Sequence, residues 1–278
     1  MPHSDFKPLS LLSASPVATT AEPWTRLPYW DVPRYDAQSL LVHWPRLHAG
    51  HALPPPAEGD PLADGWALYH SGEFERAAAL GLRHGPDGLA LANQATAIYA
   101  NYLEPREAVR LAMFRQVIER AGAQVAAEPD NCQALYWQAY ALGRYSQGIS
   151  VARALAQGLG TKLKGALEHV IELQPEHGDA HLALAAFHAE VIDKVGALVG
   201  RMTYGVRAET SIELFERGLA LHPQSAAGMM EYARALLMLH GESRLGEANG
   251  LYEKAAALTP ADARERLDVE LARAGLTD

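Results

Sequence analysis

The sequence predicts an all-α protein in which helical hairpins follow one another behind a proline-rich arm. From Pro61 onward the chain is rich in Ala, Leu, Glu and Arg, and its apolar residues recur at spacings of three and four, as in amphipathic helices. Similar segments end in proline several times, which indicates repeated helix ends. No alternating pattern of useful length indicates a strand. We therefore expect two parts, an arm over residues 1–60 and a helical body over residues 61–278.

Composition excludes several classes of protein. The 278 residues are 49% apolar and carry a net charge of −9, so the chain can build a core but lacks the basic surface that nucleic-acid partners require. Cys132 is the only cysteine, which excludes an internal disulfide and a cysteine-based metal site. No apolar stretch approaches the roughly 18 residues of a membrane span. Since no convincing secretory signal opens the chain, we expect a cytoplasmic protein.

The arm combines prolines with aromatic residues. Ten of the 17 prolines fall within residues 1–60, and proline favours extended or turning backbone there. Aromatic rings on such a segment need a surface to bury against, so we expect the arm to be extended and to pack along the helical body. The alternative is that it covers a binding groove. The aromatic residues of the arm are Trp24, Tyr29, Trp30, Tyr35 and Trp44.

The helical body contains repeated helix ends. A proline cannot continue a helix and disfavours helical geometry in the residue before it. Each stop is followed by a short turn and a new apolar run, and residues 88–129 read as a further helix pair. About five helical pairs are therefore predicted. The stops lie at Pro129, Pro175, Pro223 and Pro260.

These hairpins resemble the tetratricopeptide repeat (TPR) family, whose paired helices stack into an α-α superhelix. Small residues let the two helices of a pair approach closely, and an aromatic residue fills the gap to the next pair. The last unit matches the repeat pattern best, at Tyr232, Ala233, Leu236, Ala248, Tyr252, Ala255 and Pro260. A first unit is recognisable from Gly65, Leu68, Gly72, Glu73, Phe74 and Ala77.

Two consecutive units are longer than the repeat. Successive prolines are 46, 48 and 37 residues apart from Pro129 to Pro260, whereas a plain repeat has about 34. The extra residues lie at 143–164 and 191–209. Segments reading GRYS, FHAEV, GALVG and YG make this arrangement similar to the regulator of microtubule dynamics proteins and to the TatT proteins associated with tripartite periplasmic transporters. That resemblance implies protein partners or apolar ligands.

The two insertions supply the candidate binding residues. No acidic residue lies between Gly143 and Gly165, where four basic residues give a local charge of +4. The planar fork of an arginine suits a carboxylate or phosphate, although a solvated helix face has the same composition. The apolar stripe from Val191 to Met202 indicates either core or the wall of a cavity. The residues we select are Tyr136, Tyr140, Arg144, Tyr145, Arg201 and Tyr204.

Catalysis and metal binding are not predicted. His177, His181 and His188 share one face of a predicted helix, but no metalloenzyme pattern accompanies them, so helix capping and burial are the expected roles. Phosphate loops, dinucleotide fingerprints and nucleophile elbows are also missing. Cys132 stands at a predicted helix start and is interpreted as structural. We expect a protein that is no enzyme and needs no cofactor.

Three functional hypotheses follow. The first is a binding scaffold that captures a protein or peptide partner on the concave face of the superhelix. The second is a carrier or sensor of a small hydrophobic or anionic ligand held between the inserted helices. The third is a histidine-metal enzyme, which the motifs support least.

Overall fold

The computed structural model describes residues 22–276, which form fourteen α-helices and no strand, so the all-α prediction is confirmed. In chain order the helices are α1 (Ala37–Leu47), α2 (Leu62–His70), α3 (Phe74–Arg83), α4 (Leu89–Tyr102), α5 (Glu107–Ala127), α6 (Cys132–Gln147), α7 (Val151–Ala156), α8 (Leu159–Leu173), α9 (Gly178–Val195), α10 (Ala197–Tyr204), α11 (Ala208–Leu221), α12 (Ala226–His240), α13 (Leu245–Ala256) and α14 (Ala263–Ala274).

Five antiparallel pairs make up the body: α2 with α3, α4 with α5, α6 with α8, α9 with α11 and α12 with α13. The short helices α7 and α10 stand inside the third and fourth pairs, where the sequence has its extra residues. The first helix of each pair is apolar on most of its surface, as expected of a helix with neighbours on several sides. In α4, for example, all ten residues from Leu91 to Ala100 are buried.

The same turn separates the second, third, fourth and fifth pairs, whereas a 3-10 helix, Gly85–Gly88, joins the first pair to the second. The residues before Pro129, Pro175 and Pro223 have almost equal backbone angles, with φ between −133° and −130° and ψ between 72° and 82°. Two residues after each proline, a side chain caps the next helix by accepting a backbone N–H. The prediction that proline marks recurrent helix ends is thus confirmed. The capping residues are Asn131, His177 and Ser225, and Asp262 caps α14 in the same position after Pro260.

The described part of the arm lies against the body, and part of it is helical. Trp24 stacks on Tyr99 with ring centroids 4.2 Å apart, and the Tyr35 hydroxyl donates to the carbonyl of Ala261 at 2.7 Å. The structure differs from a wholly extended arm over α1. Asp36 begins that helix with a capping box, and a single proline, near its end, lies within it. The prediction for residues 1–21 of the arm falls outside the described residues.

The last helix returns to the start of the array. Asp262 accepts a 2.6 Å hydrogen bond from His70 of α2, Asp268 accepts one from Tyr102 of α4, and Arg264 reaches α9. Helix α14 also packs on α12. Because it touches the first helices of four pairs, α14 occupies the inner face of the superhelix. The groove that could receive a partner helix is filled there, and a cavity stays open beside the inserted helices.

Because α3 packs closely on the start of α4, replacement by alanine should affect stability differently at two glycines. A Cβ atom on Gly81 would lie 2.6 Å from the carbonyl oxygen of Gly88 and 2.8 Å from the backbone nitrogen of Ala92. We expect Gly81→Ala to lower the free energy of unfolding by about 1–3 kcal/mol, because backbone has to shift. Gly165 of α8 has no atom within 4 Å of that position, so Gly165→Ala should raise it by about 1 kcal/mol through helix propensity. Urea midpoints measure both, and equal effects would contradict the packing.

Candidate binding cavity

A cavity of about 170 Å³ opens between α6, α8, α9 and α12, with α14 at its base. Its walls are apolar. Helix α8 presents leucines four residues apart, which places them on one face, and α9 presents its own apolar side chains opposite them. The principal wall residues are Leu159, Leu163, Leu167, Leu182, Phe187 and Val191.

Helix α6 supplies one side of the polar floor. Tyr136, Tyr140 and Arg144 are spaced by four residues, so they lie along one face of the helix. The Arg144 guanidinium stands 5.5 Å from the centre of the Tyr140 ring and donates to Glu231 of α12 at 3.2 Å. Glu231 also accepts a bond from Arg234 at 3.3 Å. Glu231 thus binds two arginines, of which only Arg144 lines the cavity.

Arg264 of α14 forms the other side of the floor. It donates to Asp179 at 3.2 Å and to the Nε2 atom of His51 at 2.8 Å. Asp179 also lies 2.8 Å from Nδ1 of His222. Burial alone raises the pKa of Asp179, but His222, His51 and Arg264 outweigh it and hold the pKa well below its usual range. Asp179 is thus a buried carboxylate that several bases share.

His51 and His177, which lie beside the floor, are neutral. Burial lowers the pKa of His51 well below its usual value and that of His177 to about 4. Because Nε2 of His51 accepts a bond from Arg264, its proton resides on Nδ1, which has no partner within residues 22–276. The hydroxyl of the buried Tyr136 likewise has none in that range. Of these groups only the Tyr136 hydroxyl belongs to a residue that lines the cavity, so the floor offers an unused O–H group.

The structure brings three of the six selected residues together. Tyr136, Tyr140 and Arg144 line the cavity. Tyr204 stands behind the wall, where its ring meets that of Phe187 edge-on at 5.8 Å. The other two lie outside the lining: Tyr145 is buried in the core, and Arg201 is exposed on α10.

Asp179, Glu231 and Arg264 also line the cavity, and sequence reasoning did not select them. Arg264 is 85 residues from Asp179 in the chain, and only the return of α14 to the inner face brings them together. A weak signal was present at Asp179, which follows the helix cap His177 by two residues and stands next to the predicted start of α9.

The three histidines of the α9 segment have separate structural roles. His177 caps α9, His181 donates from Nε2 to the carbonyl of Pro175 at 2.9 Å, and His188 lies 3.3 Å from the backbone of Arg207. Capping and burial are therefore the observed roles. Among the residues that the structure describes, no group of three or more His, Cys, Asp or Glu side chains could hold a metal ion.

Comparisons with known proteins establish the fold. The chain is similar to the crystal structure of a thermophilic TPR protein from Thermus thermophilus, with 20% identity, a TM-score of 0.54, and coverage of 78% of this chain and all of the other. This confirms the predicted TPR-like α-α superhelix. No family model matches the sequence, and neither does any curated protein. The closer resemblance to the regulator of microtubule dynamics and TatT proteins stays a prediction. Within the described range, no helix is long and apolar enough to cross a membrane.

The neutral histidines predict a loss of stability in weak acid. Their pKa values are lower in the folded protein than the usual value near 6.5, so the unfolded chain takes up protons that the folded chain does not as the pH falls from about 6.5 towards 4. His177 alone should contribute a loss of about 3 kcal/mol over that interval. Asp268 should offset part of this loss of stability. Burial raises its pKa to about 6, so the folded chain takes up this proton at a higher pH than the unfolded chain does.

The variant His177→Asn tests this assignment. Asparagine can still accept the N–H of Ala180 that His177 accepts, so the variant should fold at pH 7 but lose less stability at pH 4.5. Urea unfolding at both pH values measures the difference. A parallel loss in the wild type and the variant would show that His177 does not titrate as described.

Proposed function

We propose that this protein is a non-catalytic binding protein whose cavity takes an amphipathic ligand with an apolar body and an anionic head. The observation that carries the proposal is the combination of apolar walls with a floor on which two arginines have N–H donors to spare. The proposal corresponds to the second hypothesis from the sequence. The cytoplasmic location and the independence from cofactors remain predictions.

The walls suit a short alkyl chain or a ring. Leu163, Leu167 and Leu182 offer no polar atom beyond the backbone of their helices. An engineered apolar cavity of about 150 Å³ in another protein binds benzene, and the volume of about 170 Å³ found in this cavity is comparable. Transfer of each methylene group from water into such a site contributes about 0.8 kcal/mol.

The floor suits a carboxylate or phosphate head. Two arginines of the floor, Arg144 and Arg264, donate to its two carboxylates, those of Glu231 and Asp179. Each guanidinium has five N–H donors, and the contacts of Arg144 and Arg264 use only part of them. The free hydroxyl of Tyr136 adds another donor. A bound anion would take up these donors.

Capture of a peptide is the second candidate, and the mouth of the cavity favours it. Gln147, Glu190 and Lys194 lie at the mouth, where Gln147 donates to Glu190 at 2.6 Å. Such groups can pair with a peptide backbone, while the C-terminal residue of the peptide would place an apolar side chain and a carboxylate in the cavity. A terminal carboxylate has the same chemistry as the head of a small ligand, so the two candidates differ in what lies beyond the mouth.

Calorimetric titration with octanoate and octanol tests the pocket. We expect octanoate to bind the wild type, and Arg144→Gln to weaken it at least about tenfold because a charge-assisted hydrogen bond is lost. Octanol binding should change little. Glu231 keeps Arg234 as a partner in this variant, so the fold is retained. Arg153→Gln on α7, which lies outside the cavity lining, is the matched control.

A second variant separates cavity binding from surface binding. Ala186 lines the cavity, and Ala186→Leu should fill part of it and reduce the affinity for both probes. Octanoate binding that is undetectable in the wild type, or unchanged in Ala186→Leu, would overturn the small-ligand proposal. Binding of short peptides with a free C-terminus, in place of octanoate, would favour the second candidate.

A further inference from the structure

Helix α10 presents an apolar face to solvent. It packs on the body through Gly200, its one buried residue, whose Cβ position lies 2.9 Å from Val206. Leu198 and Met202, on the opposite side of the helix, are 73% and 80% exposed, and Val199, on its flank, is 52% exposed. A helix on the surface of a globular protein ordinarily buries its apolar face and exposes its polar one. In α10 the apolar side chains are exposed along with the polar Arg201 and Thr203, so the exposed apolar face requires another explanation than core packing.

The other inserted helix adds to this surface. Val151 and Leu155 of α7 are exposed, and Gly160, near the start of α8, lies four residues after the end of α7. The ring of Tyr204, at the end of α10, lies about 3.0 Å from the Cβ position of Gly160. The two inserted helices therefore project from the same region of the body. We call this region, comprising α7 and α10, the insertion surface.

The charge around the insertion surface is opposite to that of the whole chain. Residues 143–165 and 191–209 contain seven basic residues and two acidic ones, Asp193 and Glu209, in a protein of net charge −9. Three of the seven form ion pairs with acidic residues elsewhere. The remaining four form no ion pair within residues 22–276 and are Arg153, Lys162, Arg201 and Arg207.

We propose that the insertion surface docks on an anionic phospholipid bilayer. Interfacial helices place apolar side chains below the headgroups and basic side chains at their flanks, and basic residues near an anionic leaflet contribute about 1 kcal/mol each. Leu198 and Met202 supply the apolar contact, with Arg201 beside them. The unpaired cations favour a surface of many mobile negative charges over a protein partner, whose interface would be depleted of charge at its centre.

This proposal goes beyond ligand binding in the cavity and does not require it. Val191 and Lys194 line the cavity, and Val191 also packs near Gly200 of α10. The cavity therefore opens beside the insertion surface. A docked protein would hold the mouth close to the bilayer, from which an amphipathic ligand could be exchanged.

Cosedimentation of the full chain with lipid vesicles tests the docking. We expect binding to vesicles of phosphatidylcholine with phosphatidylserine, little binding to phosphatidylcholine alone, and weaker binding at high salt. The double variant Leu198→Ser/Met202→Ser should lower the bound fraction at least about tenfold, since two apolar side chains no longer leave water. Arg201→Glu should lower it as well.

Val42→Ser is the matched control, because Val42 is 75% exposed on α1, away from the inserted helices. All the substituted side chains are exposed, so circular dichroism should show the wild-type fold in each variant. The proposal is overturned if the wild type does not bind anionic vesicles, or if the double variant binds them as well as Val42→Ser does. Octanoate titration of the double variant should be unchanged, which separates a failure of docking from a failure of the cavity.

Discussion

The inner face of this superhelix depends on one buried cation. The pKa of the Arg264 guanidinium is raised far above its usual value by Asp179, against the effect of burial, so the group is charged and needs partners in place. Asp179 comes from α9 and His51 from the arm, and Asp179 in turn binds His222 before α12. Removing one partner from a buried ion pair typically lowers the free energy of unfolding by about 3–5 kcal/mol. The arm, α9, the turn before α12 and α14 are therefore held in one arrangement.

Regular and irregular parts of the chain have different roles. The repeated turn, with a proline followed two residues later by a cap such as Asn131 or Ser225, sets the spacing of the pairs. Two features depart from the repeat: the overlong third and fourth units, and the returning α14. They provide walls of the cavity, part of the cavity floor and the exposed apolar helix α10. Binding properties are therefore concentrated where the repeat pattern is broken, as expected for function carried on a common fold.

Local chemistry explains how much the sequence could predict. The helix ends could be predicted because proline cannot continue a helix. The shared face of Tyr136, Tyr140 and Arg144 could be predicted because it follows from helical periodicity. Arg264 was not, because its position depends on the curvature of the whole array. Helix α1 was missed since proline content outweighed the capping box at Asp36. The exposure of α10 was missed because an apolar stripe is ordinarily interpreted as core.

The return of α14 to the first pair also removes the free ends that an open array has. In a linear repeat protein each unit touches only its neighbours, so terminal units can open while the middle stays folded. Here Tyr35 holds the backbone before α14, and Arg46 forms a two-point ion pair with Glu265. The two ends of the described chain are thereby joined into one cooperative unit, and separation of either end requires the loss of contacts made by the other.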